Sequence, residues 1–295
     1  MTNPTIALWA TNIARPLNGI DGWLSLVDAK AAEAAEAGAG MLVMPEYNSA
    51  HWLMYKPAGL PRHEEIAFMA AEGARALPRL PEIARRHGIA LLAGTMPAAD
   101  GDGGFFNRAH LVLEDGTVVA QDKLCLTPAE KDPAAWSLIA SERLKVIEWR
   151  GLKVAIMICL DIELPALAAA VADRALDLIL VPSMTGKPSG YHRVFGCAKA
   201  RAVELQTIVA AVGTIGTQAP GDTNYSGASV FTPCEEALGF TGIHASVAPT
   251  GDTEDDGPML IARDLPVDTI HAMRAGGAEV WPGAWRADRL RIEAA

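Results

Sequence analysis

The stretch Val154-Ala155-Ile156-Met157-Ile158-Cys159-Leu160-Asp161-Ile162-Glu163-Leu164-Pro165 decides how this chain is read. Its first five residues are continuously apolar, as a strand covered on both faces by other layers must be. Met41 to Met44 and Leu178 to Val181 have the same character, and each precedes or follows a segment of helical period. Beyond Cys159 the chain turns polar and then, from Pro165, Ala-rich and helical. A buried strand that delivers a thiol to a turn and a helix start is where an α/β protein can present a nucleophile, because the backbone N–H groups there face a developing negative charge. A cysteine at a core strand end is more often packing, so the reading depends on partners.

Working outward, strands and helices alternate. The periodicity predicts strands near Thr5 to Trp9, 41–44, 89–94, 106–113 and 117–122, with helices over Ile20 to Ala37 and Glu64 to Arg86. In the second half it predicts strands near 143–149, 152–159, 178–182, 207–212, 227–232 and 258–262. Helices are expected over Pro165 to Leu176, Ser189 to Leu205 and 266–275. Val194, Cys197, Ala198, Arg201, Ala202 and Leu205 share one face of the helix over Ser189 to Leu205. Gly and Pro clusters at 97–104, 219–221 and 249–258 read as loops, so one domain over 1–295 is expected.

Half of the 295 residues are apolar, enough for a sizeable core. A net charge of −10 argues against a nucleic-acid or anionic-membrane surface. No apolar run approaches the roughly 18 residues of a membrane span. Cysteines 125, 159, 197 and 234 form no close pairs, so neither a zinc site nor a disulfide framework is suggested, and a cytoplasmic setting is expected. There is no Gly-rich phosphate loop, and His110 to Glu114 lies in a strand rather than in a zinc-binding helix; no metal and no organic cofactor are expected.

The partners for Cys159 come from two other strand ends. Met41 to Met44 runs into Pro45 and Glu46, and Thr117 to Asp122 runs into Lys123. A thiol is mostly protonated near neutral pH, so a nucleophilic cysteine needs a base and a positive environment. Glu46 could take the proton and Lys123 could hold positive charge beside thiolate and oxyanion. The strand-end order Glu, Lys, Cys resembles the nitrilase, or carbon-nitrogen hydrolase, superfamily. Met44-Pro45-Glu46, the run Asp122 to Glu130 (DKLCLTPAE), and Ile158 to Pro165 (ICLDIELP) are each similar to its pattern. So are Leu180-Val181-Pro182-Ser183, Arg201 to Gln206 (RAVELQ) and Tyr225 to Ser229 (YSGAS), so the likeness covers nearly the whole chain.

The resemblance implies a four-layer α-β-β-α sandwich, a homodimer or higher homo-oligomer, and a C-terminal tail that reaches a partner subunit. That tail is 276–295 here, with Trp281 and Trp285. It also implies that Glu130 supports Lys123 and substrate. Leu160 stands where an aromatic residue is common and Ala166 where a glutamate is common, yet the Leu160 N–H can still donate to an oxyanion. Asp161 and Glu163 are expected to cap the next helix and to pair with basic residues such as Arg201. Asn48, Ser183, Met184, Thr185, Tyr191 and His192 are candidates for the substrate pocket, since loops at the C-terminal ends of strands bind ligands in open α/β folds.

The chemistry implied is cysteine-dependent hydrolysis of a small amide through a thioester, with a nitrile or an N-carbamoyl amide as the alternative substrate. Two rival readings are a catalytically idle binding protein, which is expected to have lost a member of the triad, and a Cys–His pair using His192 or His244. Thiol–carboxylate against thiol–imidazole geometry separates the last from the first.

Overall fold

A computed structural model describes residues 3–219, 222–281, 283 and 290–293. Two six-stranded sheets face each other. The first is built from β1 (Ile6–Trp9), β2 (Met41–Val43), β3 (Ala90–Ala99), β4 (Phe105–Val112) and β5 (Val118–Asp122). The second contains β6 (Ile147–Trp149), β7 (Leu152–Ile156), β8 (Leu178–Ser183) and β9 (Ile208–Gly213). After a two-stranded hairpin, β10 (Gly216–Ala219) with β11 (Asp222–Asn224), β12 (Ser226–Phe231) and β13 (Ile243–Thr250) complete the second sheet, and β14 (Met259–Ala262) returns to the first. The strand orders are β14-β1-β2-β3-β4-β5 and β13-β12-β9-β8-β7-β6. Within each, a parallel trio (β1, β2, β3 and β7, β8, β9) is flanked by antiparallel strands.

The period of two in the central strands divides them between layers. Ile6 and Leu8, Met41 and Val43, and Ala90 and Leu92 pack in the core shared with the second sheet. Their neighbours Ala7 and Trp9, Leu42 and Met44, and Leu91 and Ala93 pack against helices α1 (Gly19–Glu36), α2 (Glu65–Ala76) and α3 (Leu80–His87). Beyond β5 comes the one-turn α4 (Pro128–Lys131), and the outer face of the second sheet carries α5 (Leu160–Glu163), α6 (Pro165–Val171) and α7 (Pro188–Leu205). A last helix, α8 (Val267–Ala272), follows β14. The four-layer α-β-β-α sandwich expected from the resemblance is the architecture observed.

Several predicted elements are broken where proline intervenes. The helix expected over Glu64 to Arg86 is α2, a 3-10 turn at Leu77–Arg79 and α3, because Pro78 and Pro81 lack the N–H that helix continuation needs and each opens a new segment. The helix expected over Pro165 to Leu176 stops at Val171. A separate turn, α5, precedes it, and Leu164, extended at φ −92° and ψ 112° before Pro165, divides the two. The strand expected over 152–159 leaves the ladder at Ile156, although Met157 and Cys159 still donate to the carbonyls of Leu180 and Pro182 at 3.0 and 2.9 Å. The strand expected over 143–149 begins only at Ile147. The β10–β11 hairpin and edge strand β13 carried no clear alternation and were missed. Of the tail expected over 276–295, Trp281 is described and Trp285 lies outside the described residues.

Strand β3 runs past its expected end because of Gly94. At φ +69° this residue produces a register shift between Leu92 and Thr95, and a Cβ there would lie 2.1 Å from the Pro45 carbonyl oxygen. Only glycine allows that approach. The shift lets Thr95 grip the Glu46 loop from both sides: its N–H donates to Pro45 O at 3.2 Å, and its Oγ1 accepts from Tyr47 N at 2.8 Å. Gly94→Ala is therefore expected to destabilise the fold by roughly 2–4 kcal/mol, combining left-handed backbone strain with a backbone clash. A urea midpoint within error of the wild type would contradict this account.

Candidate active site

Three strand ends converge between the sheets. Glu46 follows β2 by three residues, Lys123 follows β5 directly, and Cys159 closes the extension of β7. Glu46 and Lys123 are each 1% exposed, and Cys159 6%. Backbone bonds fix each position: Met44 N–H to Leu92 O at 2.9 Å, Lys123 N–H to Asn107 O at 2.9 Å, and the Cys159 bond to Pro182. Tyr47, in the left-handed region at φ 47° and ψ 38°, turns the chain sharply after Glu46.

The Lys123 ammonium donates to Glu46 Oε1 at 2.7 Å and to both oxygens of Glu130 at 3.0 and 2.8 Å. Glu130 also closes a capping box at the start of α4, accepting from Thr127 N and Oγ1 at 2.9 Å each, and receives the Tyr47 hydroxyl at 2.7 Å. Trp136 packs on the Tyr47 ring with centroids 4.7 Å apart. The other Glu46 oxygen, Oε2, accepts the Met184 N–H at 2.9 Å, and the Met184 carbonyl lies 3.8 Å from Cys159 Sγ. Glu46 is thus joined to Cys159 through Met184, whose N–H bonds the carboxylate and whose carbonyl faces the thiol, and the Glu46 charge acts on the thiol directly.

These surroundings separate the two glutamates. Burial raises the Glu46 carboxyl above its usual range, against the pull of Lys123 and with the help of the Glu130 charge. Burial also acts upward on Glu130, but Lys123, the Thr127 N–H and the Tyr47 hydroxyl outweigh it and hold that carboxyl low. Burial works against the Lys123 ammonium too, yet Glu46, Cys159 and Glu130 together keep it charged. Burial and the Glu46 carboxylate push the Cys159 thiol well up. The arrangement is thus a buried Lys123 ammonium paired with both Glu46 and Glu130, beside a thiol whose proton is held firmly.

Cys159 sits at φ 49° and ψ −103°, a region that side-chain-bearing residues avoid. The next residue, Leu160, opens α5, so its N–H has no acceptor one turn back. Asp161 braces this turn rather than pairing with Arg201. It accepts Ile158 N–H at 3.0 Å and Leu124 N–H at 3.4 Å on Oδ2, and Cys125 N–H at 2.8 Å on Oδ1. The carboxylate thereby ties the Cys159 turn to the Lys123 loop. Arg201 instead donates to Ile162 O at 3.2 Å and pairs with Glu204, while Glu163 pairs with Arg193 at 3.1 Å.

Burial raises Asp161 from 3.8 to about 6 despite those three N–H donors. A folded-state value above the unfolded one means that its contribution to stability is complete below about pH 4 and is lost as pH rises through about 6. Two units correspond to about 3 kcal/mol. Urea midpoints of the wild type should carry this downward component between those pH values, and Asp161→Asn should lack it. Parallel pH profiles for the two proteins would contradict the assignment.

The pocket candidates divide. Met184 reaches the site through its backbone. Ser183 and Thr185 give their hydroxyls to the carbonyls of Val212 at 3.1 Å and Tyr225 at 2.7 Å. Asn48 is buried under the Glu46 loop, its Nδ2 against Met44 Sδ at 3.4 Å. Tyr191 is half-buried and stacks on Phe195 at 4.2 Å, and His192 lies exposed at its edge. His244 bonds the Arg263 carbonyl at 2.7 Å, and neither imidazole is hydrogen-bonded to the thiol among the described residues. Sequence reasoning missed Asn107 of β4, whose amide donates to Glu46 Oε1 at 2.9 Å and Glu130 Oε1 at 3.0 Å. Its one local signal is a polar residue in a strand, and the residue itself proves wholly buried. Among the described residues no group of three or more His, Cys, Asp or Glu is arranged to hold a metal, and no helix is long and apolar enough to cross a membrane.

The family model for carbon-nitrogen hydrolases matches residues 5–252, and this chain belongs to that family of enzymes. A probable hydrolase of Bacillus subtilis, YhcX, is 30% identical over 199 residues, 66% of this chain and 37% of that protein. An (R)-stereoselective amidase of Pseudomonas sp. is 28% identical over 163 residues, 55% of this chain and 57% of its own length. The chain therefore spans less than two thirds of either relative. The crystal structure of an amidase from Nesterenkonia sp. superposes with a TM-score of 0.70 at 28% identity, covering 93% of this chain and 94% of the other. A variant of the Nesterenkonia sp. AN1 amidase holds the acetamide moiety of fluoroacetamide covalently on its active-site cysteine, and is 26% identical with a TM-score of 0.70 over 93% of this chain and 95% of its own.

Proposed function

We propose that this protein is an amidase that hydrolyses a small amide through a thioester on Cys159. The observation that carries the reading is the buried set in which Glu46 bonds the Lys123 ammonium and the N–H of Met184, whose carbonyl faces the Cys159 thiol. Cys159 Sγ attacks the amide carbonyl carbon as its proton passes to Glu46, and the developing oxyanion meets Lys123 and the Leu160 N–H. The raised thiol favours concerted transfer over a standing thiolate. Collapse breaks the C–N bond, and ammonia leaves with the proton from Glu46. A water then attacks the thioester, again giving its proton to Glu46, and the C–S bond breaks as that proton returns to sulfur. One water is consumed. Glu130 keeps Lys123 charged and oriented.

This assignment agrees with the amidase activity named for its structural relatives, and the acetamide adduct on the Nesterenkonia cysteine is the kind of species the scheme requires of Cys159. We further propose a single catalytic domain acting as a homodimer or higher homo-oligomer. The test is ammonia release by the purified protein across short aliphatic amides, aryl amides, ω-amides, N-carbamoyl compounds and nitriles. Turnover of amides with an acyl-thioester trapped on the Cys159 peptide is expected. Turnover confined to nitriles or N-carbamoyl compounds would replace the substrate class and keep the triad, whereas adducts on another residue would overturn the mechanism.

A further inference from the structure

We infer that Asn107 is a positioning residue that divides the labour of the two Glu46 oxygens: together with Lys123 it occupies Oε1, leaving Oε2 to exchange the proton of Cys159. This rests on the proposed role of Cys159 as nucleophile. Oε1 receives Lys123 Nζ at 2.7 Å and Asn107 Nδ2 at 2.9 Å, whereas among the described residues Oε2 receives only the Met184 N–H, at 2.9 Å, from the backbone segment whose carbonyl faces Cys159 Sγ. Oε2 thus carries fewer donors than Oε1, and its one donor comes from the segment that also faces the thiol. The same Nδ2 bonds Glu130 Oε1 at 3.0 Å, so one amide spans both carboxylates.

Its orientation is enforced. Asn107 is wholly buried, and its Oδ1 has no partner among the described residues. A flipped amide would set that oxygen against two carboxylates. Asn107 also lies within the ladder, opposite Pro97 of β3, and its own carbonyl accepts the Lys123 N–H at 2.9 Å. Side chain and backbone of one strand residue thus locate the base, its supporting carboxylate and the cation.

The titratable groups facing Glu46 are Lys123 after β5, Glu130 on α4, Cys159 after β7 and the adjoining Tyr47. Asn107 is the neutral side-chain donor among them. A donor to the charged form lowers a carboxyl pKa, so its loss should raise the proton affinity of Glu46 and free Oε1 to take a proton that cannot reach sulfur. Asn107→Leu keeps the approximate volume and removes the donor, and Asn107→Asp adds a third carboxylate.

The experiment follows the rate of Cys159 alkylation by iodoacetamide, read on the Cys159 peptide by mass spectrometry from about pH 5 to 9, beside kcat and KM for the best amide of the panel. In Asn107→Leu the acid limb of both profiles is expected to move up by about one unit, with kcat down roughly 10–100-fold and KM within about threefold. Asn107→Asp should move the limb further. In the unaltered protein the Asn107 side-chain amide NMR resonances should titrate with the same midpoint as the alkylation limb, which needs no variant to fold. An unmoved limb in a folded variant, or amide resonances that do not follow that midpoint, would overturn the inference. Ammonia release by Cys159→Ala would sink the underlying mechanism instead; a silent Cys159→Ala beside an unmoved Asn107 limb would sink this inference alone.

Discussion

Cys159→Ala is expected to be folded and to release no ammonia above background from any amide the wild type hydrolyses. The variant has no group able to form the acyl intermediate, and its remaining oxyanion donors have no attacking atom to serve. Cys159→Ser should be equally silent, because a hydroxyl is far less acidic than a thiol and a carboxylate is too weak a base to activate it. A third substitution separates chemistry from strain. At φ 49° and ψ −103° the backbone at 159 suits glycine, so Cys159→Gly should be more stable than Cys159→Ala by about 1 kcal/mol, against the order expected within a regular element. Urea midpoints measure the order. Equal midpoints would remove the strain argument, and turnover by the alanine variant would remove the nucleophile.

Lys123→Met is expected to lose at least about 10³ in kcat/KM and about 3–5 kcal/mol of stability. Methionine retains much of the stem volume, so the loss reports charge. Without the ammonium, Glu46 and Glu130 are two buried carboxylates joined through one Asn107 amide, and one of them must take a proton. Protonated Glu46 is no base. The same change predicts a pH signature: both carboxyls would have folded-state values above their unfolded ones, so their contribution is full at low pH and is lost as pH rises. The stability gap between Lys123→Met and wild type should therefore widen with rising pH. A gap of constant size would show that the cation does not control the protonation of this pair. Lys123→Arg should not restore activity, since a planar guanidinium cannot occupy a site shaped for a point charge between two carboxylates.

Much of this was legible in the chain because the signals are local. Met41 to Met44, Val154 to Ile158 and Leu178 to Val181 read as strands covered on both faces, and each is wholly buried. Glu46 and Lys123 drew attention as charged residues directly after apolar or strand-like runs. Asn107 drew none. In Phe-Phe-Asn-Arg-Ala-His-Leu-Val it looks like any polar residue of a half-exposed strand, and its importance comes from carboxylates 61 and 23 residues away. Asp161 was noticed but given the wrong partner. A carboxylate after a nucleophile reads as a helix cap or an ion pair, and nothing near it in sequence announces backbone donors 36 and 37 residues earlier.

The residue order determined which strands are buried on both faces, where Pro78, Pro81 and Pro165 interrupt helices, and which functional groups stand at strand ends, since these follow from solvation and backbone sterics within a few residues. Tertiary structure alone decided that Lys123 meets Glu46 across 77 residues and that Met184 meets it across 138. It also decided which glutamate carboxyl is held low and which is pushed up. A carboxyl pKa depends on burial and on the charges within a few ångströms, and neither exists until two sheets close over the site.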